Sequence, residues 1–119
     1  MENHIKLGVL KKRSEFLHVR SGKYRACKNL VIQANTNPSS NNIRVGFTAT
    51  KKIGNAVVRN KAKRRLRHVA RELLPELGIN GVDYVFIARN STASTPYRNL
   101  ISNARGALAS ISKMSKKSI

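Results

Sequence analysis

The feature that most constrains the fold is a strongly amphipathic segment over residues 56–74. On a helical wheel at 100° per residue, its apolar side chains fall within one third of the circle and its polar and basic side chains lie opposite. The apolar set is Val58, Ala62, Leu66, Val69, Ala70 and Leu73, and the opposite set is Asn60, Lys61, Arg64, Arg67, His68 and Arg71. Asn55 is suited to cap this helix, and Pro75 to Gly78 to end it. The chain must therefore bury one face of a long helix and leave a cationic face in water.

No carboxylate neutralises that cationic face. Residues 51–71 hold nine of the 24 Lys and Arg residues and no Asp or Glu. Like charges three or four positions apart destabilise a helix by about 0.2–0.5 kcal/mol per pair, so a polyanion is expected as counter-ion. The whole chain carries 24 − 5 = +19 charges, which favours nucleic acid first and an anionic membrane second. Arginine grips phosphate with a planar fork and stacks on bases, which favours RNA over a merely solvated face.

The rest of the chain supplies the apolar layers that this helix needs. Periodicity and turn residues predict two further helices and three strands: helices over 14–20 and 96–111, and strands over 24–34, 43–50 and 82–88. We expect Ser14 to cap the first helix. The loop 36–42 predicts that the first two strands form an antiparallel pair, and the apolar run 82–88 is typical of a central strand. The order α-β-β-α-β-α predicts a small α+β sandwich with helices packed on one sheet.

Length and composition predict a single RNA-binding domain over residues 1–119. A basic arm is expected over about 1–13, loosely held over 6–13, and a basic, frayed tail over about 112–119. The single cysteine, Cys27, excludes an internal disulfide and is expected to be a buried or half-buried thiol. No apolar run approaches the ~20 residues of a membrane helix, and no signal-peptide core opens the chain. We therefore expect a cytoplasmic protein without a membrane partner.

The residues that could carry protein catalysis are too scattered to do so. The histidines are His4, His18 and His68, and the acids are Glu2, Glu15, Glu72, Glu76 and Asp83. Neither set has the spacing of a metal site or of an acid–base pair, so no catalytic residue and no metal ligand is predicted. Asp83, within an apolar strand, is expected to be a hydrogen-bonded structural carboxylate. No phosphate-binding loop is present, and no small-molecule substrate is expected.

Two aromatic side chains can be assigned from their surroundings. Phe47 alternates with Val45 and Ala49 and is expected in the core. Phe16 lies in a short helix with few apolar residues, so it is either an exposed stacking platform or a core residue. The face opposite Phe47 carries threonines and is suited to line a polar cleft.

The segment KKIGNAVVRNKAKRRLR at residues 51–67 closely resembles the signature of the bacterial ribonuclease P protein family, whose hallmark is an Arg-Asn-Arg-type motif on the long helix. The resemblance extends over about residues 7–111 and includes Phe16, the strand 44–47 and the strand end 87–89. It implies a central mixed sheet with a left-handed βαβ crossover.

The resemblance also implies a function. The family's protein assists a catalytic RNA that removes the 5′ leader from precursor tRNA with magnesium ions held mainly by RNA, and the protein alone binds no cofactor. Residues expected to bind the catalytic RNA are Arg59, Asn60, Lys61, Lys63, Arg64, Arg67, His68 and Arg71. Residues expected to bind the leader, in a cleft between the first helix and the sheet, are Phe16, Arg20, Thr48, Thr50, Lys51, Lys52 and Arg89.

The chain departs from the family at two cleft positions. Relatives often carry an aromatic residue where this sequence has Arg20 and Gln33, so leader binding is expected to depend more on charge than on stacking. The alternative function is that of another structural RNA-binding protein, such as a ribosomal protein. A protein-only nuclease is a third hypothesis, and the scattered acids argue against it.

Overall fold

The computed structural model describes residues 7–117, with side chains from residue 7 to residue 113. In this part of the chain five strands and three α-helices follow one another as β1 (Gly8–Val9), α1 (Arg13–Arg20), β2 (Lys23–Ala26), β3 (Leu30–Thr36), β4 (Arg44–Thr48), α2 (Ala56–Leu77), β5 (Val82–Ala88) and α3 (Tyr97–Lys117). A short 3-10 turn, Lys51–Ile53, precedes α2. The α+β class and the existence of the long basic helix are confirmed.

The five strands form one mixed sheet in the order β1-β4-β5-β3-β2. Strand β5 pairs parallel with β4 and antiparallel with β3, and it lies at the centre because its residues 82–86 are buried on both faces. The predicted antiparallel pairing of the first two long strands is therefore wrong. Their connecting loop passes the start of β5, where Asn37 N–H donates to the Gly81 carbonyl (2.7 Å) and Gly81 N–H to the Asn42 carbonyl (3.0 Å).

The predicted strand 24–34 is in fact a hairpin. Strands β2 and β3 pair antiparallel, and the chain turns at Lys28 and Asn29, where Cys27 N–H donates to the Leu30 carbonyl at 2.8 Å. The turn lacks glycine and proline, which left the sequence without a strong break signal.

Helices α2 and α3 cover one face of the sheet and form the main core with it. The predicted phase of α2 is correct: its apolar face, including Leu66 and Val69, is buried against alternate residues of the strands, such as Ile32 and Phe86. Pro75 lies inside the last turn of α2, which ends at Leu77, three residues beyond the predicted segment 56–74 and within the stop predicted at Pro75 to Gly78.

Helix α1 covers the other face and forms a second, smaller cluster. Val19 of α1, Leu10 and Val85 of β5 are buried there, with Phe16 and Ile87 packed against them. Ser14 does not cap α1, which begins at Arg13; Glu15 caps it by accepting hydrogen bonds from the Lys11 and Lys12 N–H groups. Three layers result, and α1 is separated from α2 by the sheet.

Parts of the predicted arm and of the predicted tail form regular secondary structure. Residues 8 and 9 of the predicted arm form β1 beside β4, and Leu10 is buried with its N–H bonded to the Val45 carbonyl at 3.0 Å. A two-residue strand is too short to show periodicity. Helix α3 extends to Lys117 rather than ending at residue 111. Residues 1–6 of the predicted arm and 118–119 of the predicted tail lie outside the described residues.

Candidate RNA-binding surfaces

The outer face of α2 is a continuous cationic surface. All eight residues expected to bind the catalytic RNA lie on this helix: Asn60, Lys61, Arg64, Arg67, His68 and Arg71 are exposed, and Arg59 and Lys63 are half-buried at the border. The helix begins as the sequence indicated, because the Asn55 side chain accepts a hydrogen bond from Val58 N–H at 3.0 Å. The opposite face packs on the sheet, so the cationic residues are held on a rigid support.

The carboxylates that the structure describes are all engaged away from this surface. Glu15 and Asp83 contact Arg44, Glu76 pairs with Arg105 at 3.3 Å, and Glu72 accepts a hydrogen bond from the Tyr97 hydroxyl at 3.1 Å. Among the described residues, no ion pair involves a cation on the outer face of α2. Its positive charge is therefore available to an external anion.

Arg65, at the edge of the basic face, has a structural role instead. Its guanidinium donates to the carbonyls of Thr92 and Ala93, both at 2.9 Å, and to that of Thr95. It thereby fixes the segment between β5 and α3. Neighbouring arginines of one helix thus have different functions, and the wheel placed Arg65 at the border between the two faces.

A second candidate surface lies on the opposite face of the sheet. Helix α1 crosses only one end of that face, where the His18 carbonyl accepts from Asn35 and where Glu15 meets Arg44. A row of four side chains that pair in register across the strands lies beyond the end of the face that α1 crosses. We call the open surface above this row the sheet cleft, and its floor consists of Ala26, Val31, Ile87 and Thr48. The sequence correctly placed Thr48 on this face.

Phe16 lies at the β4 side of the sheet cleft. A Cβ atom on Gly46 would be 2.6 Å from Cζ of the Phe16 ring, so the ring rests directly on the β4 backbone. Phe16 is half-buried and belongs to the second apolar cluster, which means that it is both part of the packing and accessible from the cleft. No local signal in the sequence identifies Gly46 as the position on which this ring rests.

The remaining leader-binding candidates lie at or just after the ends of α1, β4 and β5, the elements that border the sheet cleft. Arg20 is exposed at the end of α1. Thr50, Lys51 and Lys52 are exposed in and before the 3-10 turn that follows β4. Arg89 is exposed just after β5, and its Nη1 donates to the Cys27 carbonyl at 3.2 Å, which ties it to the β2–β3 turn. The far rim of the cleft is thus cationic.

An ion network that the sequence did not reveal fixes α1 on the sheet. The Arg44 guanidinium binds Asp83 through Nε–Oδ1 (2.9 Å) and Nη2–Oδ2 (2.6 Å), and its Nη1 donates to Glu15 Oε2 at 3.2 Å. Asp83 is 1% exposed and also accepts from Asn37, which confirms its structural role. Hydrogen bonds from the Lys12 and Lys11 N–H groups, aided by Arg44, lower the pKa of Glu15. The hydrogen bond to Asp83 raises the pKa of Arg44.

The two surfaces meet at the β4 edge of the sheet. A cavity of about 460 Å³ there is lined by Phe16 and Gly46 from the cleft side and by Phe47, Arg67 and Arg71 from the α2 side. The Arg67 Cζ atom lies 5.9 Å from the centroid of the Phe47 ring, a cation–π contact. Phe47 also contacts Phe86, with ring centroids 6.0 Å apart, in agreement with its predicted place at the core.

The described residues were also compared with the requirements of a membrane-spanning helix and of a metal site. No helix in this part of the chain is both long and apolar enough to cross a membrane. Within the same part, no three His, Cys, Asp or Glu side chains are grouped so as to hold a metal ion. Cys27 is half-buried, as expected, and burial raises the pKa of its thiol.

Comparisons with known proteins agree on one family. The sequence profile of the family described as Ribonuclease P matches residues 6–112. The ribonuclease P protein component of Ruegeria pomeroyi is 47% identical over 105 residues, which cover 86% of this chain and 84% of that protein. The corresponding protein of Gluconacetobacter diazotrophicus is 46% identical over 100 residues, covering 83% and 86%.

Solved structures agree as well. The ribonuclease P protein of Staphylococcus aureus superposes with a TM-score of 0.70 at 27% identity, covering 93% of this chain and 97% of that one. The match therefore includes both candidate surfaces and the sheet between them. The chain belongs to the ribonuclease P protein family, the protein components of the ribonucleoprotein endoribonuclease that processes the 5′ ends of tRNA.

Proposed function

We propose that this protein binds two RNA segments at once, the catalytic RNA on the outer face of α2 and the 5′ leader of precursor tRNA in the sheet cleft. The observation that carries the proposal is the cationic face of α2, whose charges have no carboxylate partner among the described residues. The sheet lies between the two surfaces except at its β4 edge, where they meet, so each surface can bind its own RNA segment.

The α2 surface is suited to folded RNA because its charges are dense and rigidly held. Arg64, Arg67 and Arg71 recur along one face at helical spacing, and Arg59 has a buried Nε without a hydrogen-bond partner. Guanidinium groups bind phosphate through two parallel hydrogen bonds. Asn60 can donate to or accept from a ribose hydroxyl. We infer that these side chains together recognise the backbone of the catalytic RNA.

The sheet cleft is suited to a single strand because it combines an open floor, an aromatic ring and a cationic rim. Phe16 offers its ring at one end, and Lys51, Lys52 and Arg89 offer charge along the far side. Bases stack on aromatic rings irrespective of sequence, and cations follow the phosphates. The family processes precursor tRNA, whose 5′ leader is single-stranded, so we infer that the leader is the ligand of this cleft.

The chemistry of cleavage is assigned in this proposal to the RNA and to magnesium ions that the RNA holds. The protein's residues bind and orient; Arg44 and Asp83 position α1, and Arg65 positions the segment before α3. A cytoplasmic location follows, since the catalytic RNA and precursor tRNA are both found there.

One reconstitution tests the proposal against its alternatives. Precursor tRNA and magnesium are incubated with the full chain, with the catalytic RNA, and with both, at an ionic strength where the RNA alone is slow. We expect efficient leader removal only when both are present. A protein without effect on the RNA would favour a ribosomal-type RNA-binding protein, and cleavage by the protein alone would favour a nuclease.

Two charge variants then assign the surface. Arg64→Ala and Arg67→Ala should weaken binding of the catalytic RNA, whereas Arg98→Ala, an exposed arginine on α3, removes the same charge elsewhere. Equal losses in all three variants would show that net charge, and not the α2 surface, carries the binding.

A further inference from the structure

The cavity at the β4 edge lies between the two proposed RNA-binding surfaces and has so far been assigned to neither. Its volume of about 460 Å³ is within the roughly 300–1,000 Å³ of pockets that hold small ligands. It lies where β1 ends, because the last hydrogen bond between β1 and β4 joins Leu10 N–H to the Val45 carbonyl. In the described part of the chain, the β4 edge at Gly46 and Phe47 therefore has no neighbouring strand.

The walls of the cavity combine apolar surface with positive charge. Strand β1 contributes Val9, and α2 contributes three residues at intervals of four, Arg67, Arg71 and Pro75. Arg67 lies over the ring of Phe47, with its Cζ atom 5.9 Å from the ring centroid. Neither arginine has a carboxylate partner among the described residues. The ligand that fits such a cavity is flat or apolar in one part and anionic in another.

Pro75 leaves a backbone acceptor unpaired at the same place. It lies within α2 and has no amide hydrogen, so it cannot donate to the carbonyl four residues earlier, as other helical residues do. That carbonyl belongs to Arg71, and both residues line the cavity. A carbonyl oxygen accepts a hydrogen bond from an amino group, which adenine, cytosine and guanine carry and uracil does not. The free acceptor therefore favours an amino-bearing base.

We propose that this cavity receives one unpaired, amino-bearing nucleotide of the catalytic RNA. Its base lies against Phe47 and Arg67 and donates its amino group to the Arg71 carbonyl, while the arginine side chains hold the adjoining phosphate. This inference rests on the proposed function of the α2 surface.

The catalytic RNA is the occupant that the charges favour. Arg67 and Arg71 belong to the cationic face of α2, along which the backbone of that RNA is proposed to run, so an unpaired base beside it can turn into the cavity. Unpaired RNA bases stack on aromatic rings and on guanidinium planes. A leader nucleotide is the competing occupant, because Phe16 also borders the cavity.

The first test is Pro75→Ala, with affinity for the catalytic RNA measured in the absence of tRNA. Alanine supplies the missing amide hydrogen and is a better helix former, so the melting temperature should stay the same or rise. The Arg71 carbonyl then has a partner within the helix, so affinity should fall about two- to ten-fold, the range of one hydrogen bond. Pro96→Ala, directly before α3, is the matched control. A protein that is no less stable but binds RNA less well is not explained by a structural role of Pro75.

The second test closes the cavity from β1. Val9 is 60% exposed, so Val9→Trp should cover the opening without entering the core. Ile79→Trp adds the same bulk at an exposed position that does not line the cavity. We expect Val9→Trp to weaken binding of the catalytic RNA and Ile79→Trp to bind like the wild type.

Chemical footprinting then locates the base. Reagents that modify the Watson–Crick edges of unpaired adenine, cytosine and guanine are applied to the catalytic RNA with and without the full chain. The wild type should protect one such nucleotide, and Pro75→Ala and Val9→Trp should restore its reactivity. Changing that nucleotide to uridine should weaken binding of the wild type and make Pro75→Ala neutral, because both changes remove the same hydrogen bond. Identical footprints for the wild type and both variants would overturn the inference.

The possible failures can be told apart. If Arg64→Ala binds the catalytic RNA as tightly as the wild type, the proposed function of the α2 surface is wrong. If Arg64→Ala weakens binding but Pro75→Ala and Val9→Trp match the wild type, only the assignment of the cavity is wrong. If those two variants change affinity only for leader-bearing precursor, the leader occupies the cavity and the inference is also wrong.

Discussion

The substitution Gly46→Ala adds a single methyl group, and we expect that group alone to disturb leader binding. An added Cβ would lie 2.6 Å and 2.7 Å from Cζ and Cε2 of Phe16 and 3.1 Å from Cβ of Leu10. Carbon atoms prefer separations of about 3.5–4.0 Å, so the overlap with the ring is about 1 Å. The atoms in conflict belong to the far end of the Phe16 side chain. We expect Gly46→Ala to move the ring out of its seat.

The cost to stability should be similar in size to the cost to binding, or smaller. Overpacking of this kind costs about 1–3 kcal/mol, and alanine in place of a strand glycine returns about 0.5–1 kcal/mol of backbone entropy. A net loss of about 0–2.5 kcal/mol in the free energy of unfolding follows. Binding of leader-bearing precursor should weaken by up to about 1–3 kcal/mol, the contribution of one stacked base, while binding of mature tRNA stays unchanged.

A double-mutant cycle with Phe16→Ala checks the cause. Melting temperatures and holoenzyme affinities are measured for the wild type, both single variants and the double variant. Without the ring, the tight contact that remains for the new Cβ is with Cβ of Leu10 at 3.1 Å, so Gly46→Ala should cost much less stability in the Phe16→Ala background than in the wild type. The reasoning fails if Gly46→Ala has the same effect on stability and on leader affinity whether or not the ring is present.

The other expectations concern α2, the salt dependence and α1. Arg65→Ala should lower the melting temperature, because it removes the donors to three backbone carbonyls. Arg64→Ala should instead weaken RNA binding and change the free energy of unfolding by no more than about 0.5 kcal/mol. The opposite pattern in thermal melts and RNA titrations would show that the helical phase is wrong. Leu66→Ala should cost about 2–5 kcal/mol of stability because the side chain is fully buried, measured by denaturant unfolding. Affinity for the catalytic RNA should fall steeply and roughly linearly on a log–log plot against salt, because bound counter-ions are released, and a flat titration would contradict this. The fold lowers the pKa of Glu15 below its ordinary value of 4.5, so the stabilisation of α1 by this carboxylate is fully present above pH 4.5 and is lost as the pH falls through the pKa of the folded state. Amide exchange along α1 should therefore quicken at low pH in the wild type and not in Glu15→Gln.

The helices could be predicted well from the sequence because their signals are local. The α2 phase depends on the spacing of residues such as Ala62, Leu66 and Val69, and its start depends on one cap, Asn55. The outward position of Arg64 and Arg67 follows from the same spacing. The cationic face of α2 could therefore be predicted before any long-range contact was known, whereas the cleft between α1 and the sheet was implied by the resemblance to the family.

The sheet could not be predicted in the same way, because strand order depends on contacts that are distant in sequence. Strand β5 separates β3 from β4, although β3 and β4 are consecutive. Strand β1 is two residues long, and the turn at Lys28 and Asn29 has no glycine. Tyr24 and Gln33 show the consequence. The sequence predicts them in one strand, whereas the hairpin places them side by side on neighbouring strands.

The placement of the few acids explains how so basic a chain keeps both a fold and a binding surface. Asp83 and Glu15 hold Arg44 and thus α1, Glu72 binds Tyr97, and Glu76 pairs with Arg105, so that acids on α2 contact α3. Each described carboxylate joins two elements of secondary structure, and no pair involves the outer face of α2. An acid introduced on that face would form helical pairs worth about 0.2–0.5 kcal/mol each, but it would compete with RNA phosphate for the same arginines. The charge that remains without a carboxylate partner on the outer face of α2 is therefore what the proposed interface with RNA requires.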